Sequence, residues 1–321
     1  MSDEGYNKDN RRVARNQAKV DHFKNGKSKA RRHKDKVVET VLTSTQEAEI
    51  SHIGFKNRKA LADETLNILA NKDEVNSYNL GTDYITNTKL YLQKNEITLD
   101  SSIKPIHEDG PDVEFNEQNL ISFIWEIDSS ELDKWVVLNY SNPVKPCGSF
   151  DKDCSVYEES LGLCSGLYYS LKKGEGSSMY TKNFELEETV DNGVFRTDVI
   201  YSPNVPFFRN EEFELVDADD CRKISIISIP AINYIKYSES EDFSEEDYEE
   251  KMRVRINRIY RTALKHGHTK IVLGPWGCGL EGGPLKEVIQ LFADDDLSDL
   301  FDQIYFVCDD EETVKIMQAN F

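Results

Sequence analysis

The chain has 321 residues, of which 38% are apolar and 10% aromatic, so it can form a sizeable core and is not wholly disordered. Its net charge of −20 is uneven, because residues 1–36 hold twelve Lys/Arg against five Asp/Glu and the rest of the chain carries −27. That acidic remainder excludes nucleic-acid binding over its general surface.

Residues 1–36 have almost no apolar periodicity, which predicts a basic flexible arm. Two interpretations of the arm remain open: a solvated tail, or a segment that contacts nucleic acid. No apolar run approaches the roughly twenty residues needed to cross a bilayer, and the N-terminus lacks the apolar centre of a secretory signal. We therefore expect no membrane partner and an intracellular protein, either cytoplasmic or nuclear.

Residues 37–119 are predicted to form a helical and irregular extension that packs on the core. Within it, a helix is expected over 57–71, where Leu61, Thr65, Leu66 and Leu69 recur at three- and four-residue steps. The following stretch, 76–119, is polar and poorly periodic, with short strand-like pieces.

Residues 120–321 alternate buried strands with amphipathic helices, which predicts an α/β fold with a mostly parallel or mixed sheet flanked by helices. The expected strands are 135–140, 194–201, 224–229, 270–273 and 304–308. The expected helices are 155–171, 246–266, 284–292 and a last one from Glu311. In such a sheet, ligands bind beyond the carboxyl ends of the strands.

The six cysteines form no CxxC pair and the histidines form no HExxH motif, so we expect free thiols, no metal and no cofactor. His266 and His268 follow a predicted helix, where capping of its last turn is the better explanation for them.

Two loops follow predicted strands and open predicted helices: residues 141–150 and residues 274–284. Both are rich in small residues, which let backbone amides approach a ligand, and helix N-termini favour anions. Such a pair suits a diphosphate, although Gly and Pro also occur in any tight turn of this kind. The second loop contains Gly277-x-Gly279-x-x-Gly282, but it comes too late in the chain for a dinucleotide fingerprint.

Glu158 and Glu159 begin the helix after the first loop. Adjacent residues on a helix point about 100° apart, so the two carboxylates do not form a facing pair that shares one proton. One can face a pocket while the other makes a supporting contact. Acidic residues in a first turn are also favoured by the helix dipole alone.

Together these segments resemble the microbial-type poly(ADP-ribose) glycohydrolase family. The glycine-rich loop and Gln-Glu-Glu signature of that family are similar to Asn142, Cys147-Gly148-Ser149 and, seven residues later, Tyr157-Glu158-Glu159. Four further segments match in the correct order: 57–65, 201–209, 230–233 and 274–283.

The resemblance implies a macrodomain-like fold whose cleft binds ADP-ribose or ADP-ribosylated macromolecules and hydrolyses the ribose O-glycosidic bond without a metal. It implies that Glu159 is the general acid and base and that Glu158 holds the ribose hydroxyls. The residues implied to contact the substrate are Asn142, Cys147, Gly148, Ser149, Asn233, Gly277, Cys278, Gly279 and Glu281.

The chain departs from the family pattern at four positions. Cys147 and Ser149 stand where the pattern has glycine, and their side chains are expected to crowd the approach of a phosphate. Tyr157 replaces the signature Gln, and Glu281 replaces an aromatic residue, adding negative charge beside the expected diphosphate. These departures keep an alternative open: a reader or scaffold that binds ADP-ribose or a related nucleotide without cleaving it.

Overall fold

The computed structural model describes residues 55–70, 78–152, 157–189 and 192–321. The predicted arm over 1–36 and Cys154 lie outside these ranges. Within them, none of the helices combines the length and the apolar content of a membrane span.

The described chain contains ten α-helices and seven strands. The helices are α1 (Phe55–Leu69), α2 (Asp83–Thr86), α3 (Leu120–Glu126), α4 (Tyr157–Cys164), α5 (Leu167–Lys173), α6 (Ser177–Thr189), α7 (Tyr234–Tyr237), α8 (Glu245–Lys265), α9 (Leu285–Ala293) and α10 (Glu311–Asn320). The strands are β1 (Lys89–Tyr91), β2 (Asp112–Glu117), β3 (Trp135–Tyr140), β4 (Val199–Phe207), β5 (Arg222–Ile229), β6 (Lys270–Leu273) and β7 (Gln303–Cys308).

All seven strands form one mixed sheet in the order β1-β4-β5-β3-β6-β7-β2. The five strands β5, β3, β6, β7 and β2 are parallel, whereas β4 pairs antiparallel with β5 and β1 pairs antiparallel with β4. The prediction of an α/β fold with a mostly parallel or mixed sheet is confirmed. The four strands 135–140, 224–229, 270–273 and 304–308 lie together in it as expected.

Helices cover both faces of the sheet. Along β3, Val136 and Leu138 belong to the core cluster shared with α8, α9 and α10, whereas Trp135 and Val137 belong to the cluster shared with α3 to α6. All four side chains are buried, which explains why this strand reads as a continuous apolar run.

The segment before residue 120 supplies both edge strands of the sheet. Strand β1 pairs with β4, and β2 pairs with β7. The short strand-like pieces expected in 76–119 therefore lie in the same sheet as the strands of 120–321. The proposed boundary between an extension and a core at residue 120 stays a prediction.

Two expected elements differ from the structure. The single helix expected over 155–171 is divided at Ser165 and Gly166, because Ser165 forms a bridge with Phe207 and the backbone N–H of Gly166 donates to the carbonyl oxygen of Pro206 at 2.8 Å. The strand expected over 194–201 runs over Val199–Phe207, with a register shift between Ser202 and Val205. Two prolines inside the strand hid its extent, because proline cannot donate a ladder hydrogen bond.

Helix α8 is fixed to the sheet edge by Arg258, a buried side chain with 7% exposure. Its guanidinium donates to the carbonyl oxygens of Thr197 (2.7 Å), Asn95 (3.0 Å), Tyr91 (2.9 Å) and Leu92 (3.0 Å). Burial lowers the pKa of Arg258, while the negative charge of Asp198 raises it. One side chain thus holds β1, the segment after it and the residues before β4 against the helix.

We predict that Arg258→Met lowers the free energy of unfolding by about 3 kcal/mol, because methionine fills the space but leaves buried carbonyl oxygens without donors. Urea denaturation measures the loss. The control is Arg253→Met, whose exposed side chain pairs with the exposed Asp294 and whose removal should change stability by less than about 0.5 kcal/mol. Equal effects in the two variants would contradict the role of Arg258.

Candidate functional site

The candidate site lies at the carboxyl ends of the parallel strands β5, β3 and β6, and this end of the sheet is the edge meant below. The loop after β3 (residues 141–150, the first loop) and the loop after β6 (residues 274–284, the second loop) leave neighbouring parallel strands at this edge. Residues 230–233 follow β5 at the same edge. This placement agrees with the general location of ligand sites in α/β sheets.

Glu158 and Glu159 are both buried, with 3% and 6% exposure, and both contact the first loop. One carboxyl oxygen of Glu158, Oε2, accepts the backbone N–H of Asn142 at 2.7 Å. Glu159 accepts the backbone N–H of Ser149 through Oε1 at 2.8 Å. The two side chains point in different directions from α4, yet the first loop passes the start of the helix and meets both.

The other oxygen of Glu158, Oε1, accepts the side-chain amide of Asn139 at 3.0 Å. Burial raises the pKa of Glu158 to about 8, although the hydrogen bonds from Asn142 and Asn139 oppose that shift. The candidate site therefore contains a carboxylic acid that keeps its proton at neutral pH.

The position of Glu159 requires a glycine at residue 148. Its φ of +55° lies in the left-handed region, and a Cβ at this position would lie 2.9 Å from Oε1 of Glu159. Any side chain here would therefore strain the backbone and displace the carboxylate. The amide of Gly148 donates to the carbonyl oxygen of Lys145 at 3.0 Å, which closes the turn.

The sequence predicts that the side chain of Cys147 crowds the first loop, but in the structure this side chain points away from it. Its side chain is fully buried and faces α4, because a Cβ on Gly162 would lie only 2.8 Å from the Cβ of Cys147. Burial raises the pKa of the Cys147 thiol well above its usual value, and the nearby Glu158 adds to the shift. Cys147 acts as a packing residue beneath the loop.

Asn142 closes a local turn with its side chain. Its Oδ1 accepts the backbone N–H groups of Val144 (3.0 Å) and Lys145 (2.9 Å). The main-chain amide of Asn142 holds Glu158, so this residue shapes the first loop through both its backbone and its side chain. A direct contact with a ribose stays a prediction.

Tyr157, in the place of the signature Gln, connects the start of α4 to the sheet. Its ring stacks on Tyr140 at 3.9 Å between centroids, with the planes 2° apart, and its hydroxyl donates to the carbonyl oxygen of Leu138 at 3.0 Å. The hydroxyl of Tyr140 lies 2.1 Å from where Gly274 would carry a Cβ. The stacked rings therefore join the first helix turn to the start of the second loop, which only glycine fits.

The glycines of the second loop differ in how closely they are packed. A Cβ on Gly279 would meet nothing within 4 Å, whereas one on Gly277 would lie 2.7 Å from Ala231. Cys278 is fully buried, and its backbone N–H closes a turn on the carbonyl oxygen of Pro275 at 3.1 Å. The backbone of Gly279 can therefore be approached closely by a ligand, whereas that of Gly277 is packed.

Glu281 and Asn233 lie where the second loop meets the segment after β5. The carbonyl oxygen of Glu281 accepts the backbone N–H of Ile235 at 3.1 Å, and burial raises the pKa of the Glu281 carboxyl. Asn233 caps α7, because its Oδ1 accepts the backbone N–H of Lys236 at 2.9 Å. Both residues thus have a structural role. Their contacts with a substrate stay predictions.

Asn139 and Ser228 are site residues that the sequence reading missed. Both are fully buried, and they face each other across the paired strands β3 and β5. The signal was present as polar residues inside two apolar runs: Asn139 in WVVLNY, and Ser225 and Ser228 in ISIISI, of which Ser228 is the one that pairs with Asn139. A buried polar side chain in a central strand needs a partner, and here that partner is Glu158.

A metal site is not formed by the described residues: nowhere in the ranges given above do three or more His, Cys, Asp or Glu side chains cluster as ligands. The five cysteines in those ranges form no disulfide with one another. His266 ends α8 as predicted, and its ring stacks on Tyr201 at 3.6 Å.

This is the architecture of a macrodomain-like protein: a mixed sheet, the first and second loops at the carboxyl ends of its parallel strands, and two buried glutamates beside them. The sequence model of the microbial-type poly(ADP-ribose) glycohydrolase catalytic domain matches residues 56–210, and the resemblance of the chain to that family is thereby confirmed. A search of curated proteins gives no match.

Solved structures of bacterial enzymes share the fold. Poly(ADP-ribose) glycohydrolase from Thermomonospora curvata aligns with a TM-score of 0.71 at 22% identity, over 83% of this chain and 100% of that chain. The same enzyme with the inhibitor ADP-HPD gives 0.69 at 23% identity, with the same coverage. The enzyme from Deinococcus radiodurans in complex with ADP-ribose gives 0.66 at 22% identity, over 75% and 96% of the two chains.

The raised pKa of Glu158 predicts a pH-dependent stability. The folded state keeps a proton that the unfolded state loses above about pH 4.5, so stability falls as the pH rises from about 4.5 to about 8 and is constant above that. Near pH 6–7 the slope is roughly 1.4 kcal/mol per pH unit for one proton. Glu158→Gln should remove this slope.

The measurement is the free energy of unfolding of both proteins between pH 5.5 and pH 8. The pKa values of the half-buried His266 and the buried His268 are lowered to about 4, chiefly by desolvation. These residues have the opposite effect below about pH 6.5, but they cancel in the difference between the two proteins. Parallel profiles would show that Glu158 is not protonated in the folded protein.

Proposed function

We propose that this protein binds ADP-ribose at the edge formed by the two loops and hydrolyses the ribose O-glycosidic bond of poly(ADP-ribose) or of ADP-ribosylated acceptors. The observation that carries the proposal is the pair of buried glutamates, each held by an amide of the same loop. Support comes from the family match and from the related D. radiodurans fold, which was solved with ADP-ribose.

A diphosphate is the part of the ligand that the two loops suit best. The helices α4 and α9 begin after these loops, and their N-termini carry partial positive charge. Gly279 leaves room for close approach of a phosphate, since no atom within 4 Å would meet a Cβ there. Backbone amides and helix dipoles can thus bind an anion within a chain whose net charge is −20.

In the proposed reaction, the Glu159 carboxyl donates its proton to the leaving oxygen while the bond from that oxygen to the anomeric carbon breaks. A water molecule attacks the anomeric carbon through an oxocarbenium-like state and gives a proton back to Glu159. Glu158 holds the ribose hydroxyls, and as a protonated carboxyl it can donate a hydrogen bond as well as accept one. No metal takes part in these steps.

The same geometry leaves a second function possible, binding without turnover, for which the specific observation is Glu281. A carboxyl at this place puts a group that can become negative beside the expected diphosphate. Its raised pKa lessens that repulsion without removing it. This reader function is the alternative that the comparison of ADP-ribose binding and release tests.

Two further expectations stay separate from the site. Nucleic-acid contact through residues 1–36 is supported by their net charge of +7 alone, and the location in cytoplasm or nucleus stays a prediction.

The test is Glu159→Gln, which keeps the size of the side chain but cannot act as an acid. We expect release of ADP-ribose from poly(ADP-ribose) to fall roughly 10²- to 10⁴-fold, while calorimetry shows little change in affinity for ADP-ribose. Glu158→Gln should weaken binding as well as turnover, because it removes an oxygen that accepts the first loop. The control is Glu246→Gln on the exposed surface of α8.

Turnover that survives Glu159→Gln unchanged would contradict the mechanism. Binding without release by the wild-type protein would favour the reader function. Absence of binding in every protein would contradict the site itself.

A further inference from the structure

A polar pair lies beneath the candidate site in the centre of the sheet. Asn139 is the last residue of β3 on the face that α4 covers, and Ser228 is its direct partner on β5. Both are completely buried. A core position of this kind favours apolar residues, because an unpaired polar group in an apolar interior is costly.

The side-chain amide of Asn139 bonds to two oxygen atoms. Its Nδ2 donates to Oε1 of Glu158 at 3.0 Å and to Oγ of Ser228 at 3.0 Å. Its Oδ1 has no hydrogen-bond partner among the residues that the structure describes. The orientation of the amide is therefore set by the need to donate to Glu158 and Ser228, at the expense of its own oxygen.

The two oxygens of Glu158 accept hydrogen bonds from different elements, a loop and a strand. Oε2 accepts the amide of Asn142, which belongs to the first loop. Oε1 accepts Asn139, which is anchored by main-chain pairing on a central strand with neighbours on both sides. The strand contact is therefore held by the ladder of the sheet, independently of the first loop.

We propose that Asn139 is a positioning residue for the reaction: it fixes the orientation of the Glu158 carboxyl from the sheet, and Ser228 fixes Asn139 in turn. The inference rests on the proposed function, in which Glu158 holds the ribose. Asn139 acts through Glu158 and does not itself touch the substrate.

The hydrogen bond from Asn139 shifts the pKa of Glu158 in a definite direction. A donor that faces a carboxyl oxygen stabilises the ionised form and opposes the effect of burial. Removing the donor must therefore raise the pKa of Glu158 further. Asn139→Asp is the sharpest variant, because it keeps the shape of the side chain and turns the donor into an acceptor that can carry negative charge.

The experiment follows the side-chain carboxyl carbon of Glu158 by NMR in protein labelled with ¹³C-glutamate, with the resonance assigned by its loss in Glu158→Gln. In Asn139→Asp and in Asn139→Leu we expect the titration midpoint to rise by about one pH unit or more. Ser228→Ala should give a smaller rise, because it leaves the donor in place and removes only its anchor.

The matched control is Asn183→Asp. Asn183 is also completely buried, but its Oδ1 accepts the backbone N–H of Arg196 at 3.0 Å, whereas Asn139 bonds to Glu158. This variant subjects the fold to the same kind of buried substitution and should leave the midpoint of Glu158 unchanged. Asn139→Leu, which adds no charge, serves if Asn139→Asp does not fold.

Hydrolysis is measured on the same proteins. With the carboxyl misplaced, we expect kcat/KM to fall roughly 10- to 100-fold in the Asn139 variants and not in Asn183→Asp. An unchanged Glu158 midpoint in both Asn139 variants would overturn the positioning role. If the Glu158 midpoint shifts in the Asn139 variants but the wild-type protein neither binds nor cleaves ADP-ribose, the proposed function is contradicted instead. The two failures are thus distinguishable.

Discussion

The candidate site depends on the burial of two neighbouring carboxyl groups at the end of the central strand. Burying Glu158 and Glu159 is unfavourable unless their oxygens accept hydrogen bonds, and the first loop and β3 supply the donors. This requirement accounts for the conformation of the first loop, for the glycine at position 148 and for an asparagine inside an apolar strand. Burial also keeps a proton on Glu158 at neutral pH.

The surrounding fold is arranged so that this cluster lies beside a second anion-binding element. Because β3 and β6 are adjacent and parallel, the loops after them leave the same edge of the sheet. The stacked rings of Tyr140 and Tyr157 fill the space between α4 and the second loop, where the signature Gln of the family would stand. The departure at Tyr157 is therefore explained by packing: the aromatic ring gains a stacking partner in Tyr140.

Much of the fold could be predicted from the sequence, because buried parallel strands such as 270–273 are short apolar runs between clear helical patterns. The strand with Pro203 and Pro206 was misplaced, since its proline content argues against a strand and only its position beside β1 and β5 maintains it. The division of the helix at Gly166 follows from contacts of Ser165 and Gly166 with Phe207 and Pro206 on β4, which no local pattern reveals.

The site was predictable to the extent that its residues follow one another along the chain. The glutamates and the two loops could be named because they form sequence motifs. The inward direction of Cys147 and the pairing of Asn139 with Ser228 depend on contacts between distant segments. A sequence pattern identifies residue types at positions, whereas the direction of a side chain in a loop with positive φ follows only from the folded backbone.

The measurement that tests the central claim most directly is a calorimetric titration of ADP-ribose into the wild-type protein, Gly148→Ala and Gly81→Ala. Both glycines have positive φ, but only a Cβ at Gly148 meets Glu159, since one at Gly81 meets nothing within 4 Å. The account predicts equal affinity for wild type and Gly81→Ala, and affinity weaker by roughly tenfold or more for Gly148→Ala. Absent binding by the wild-type protein, or equal affinity in all three, would contradict it.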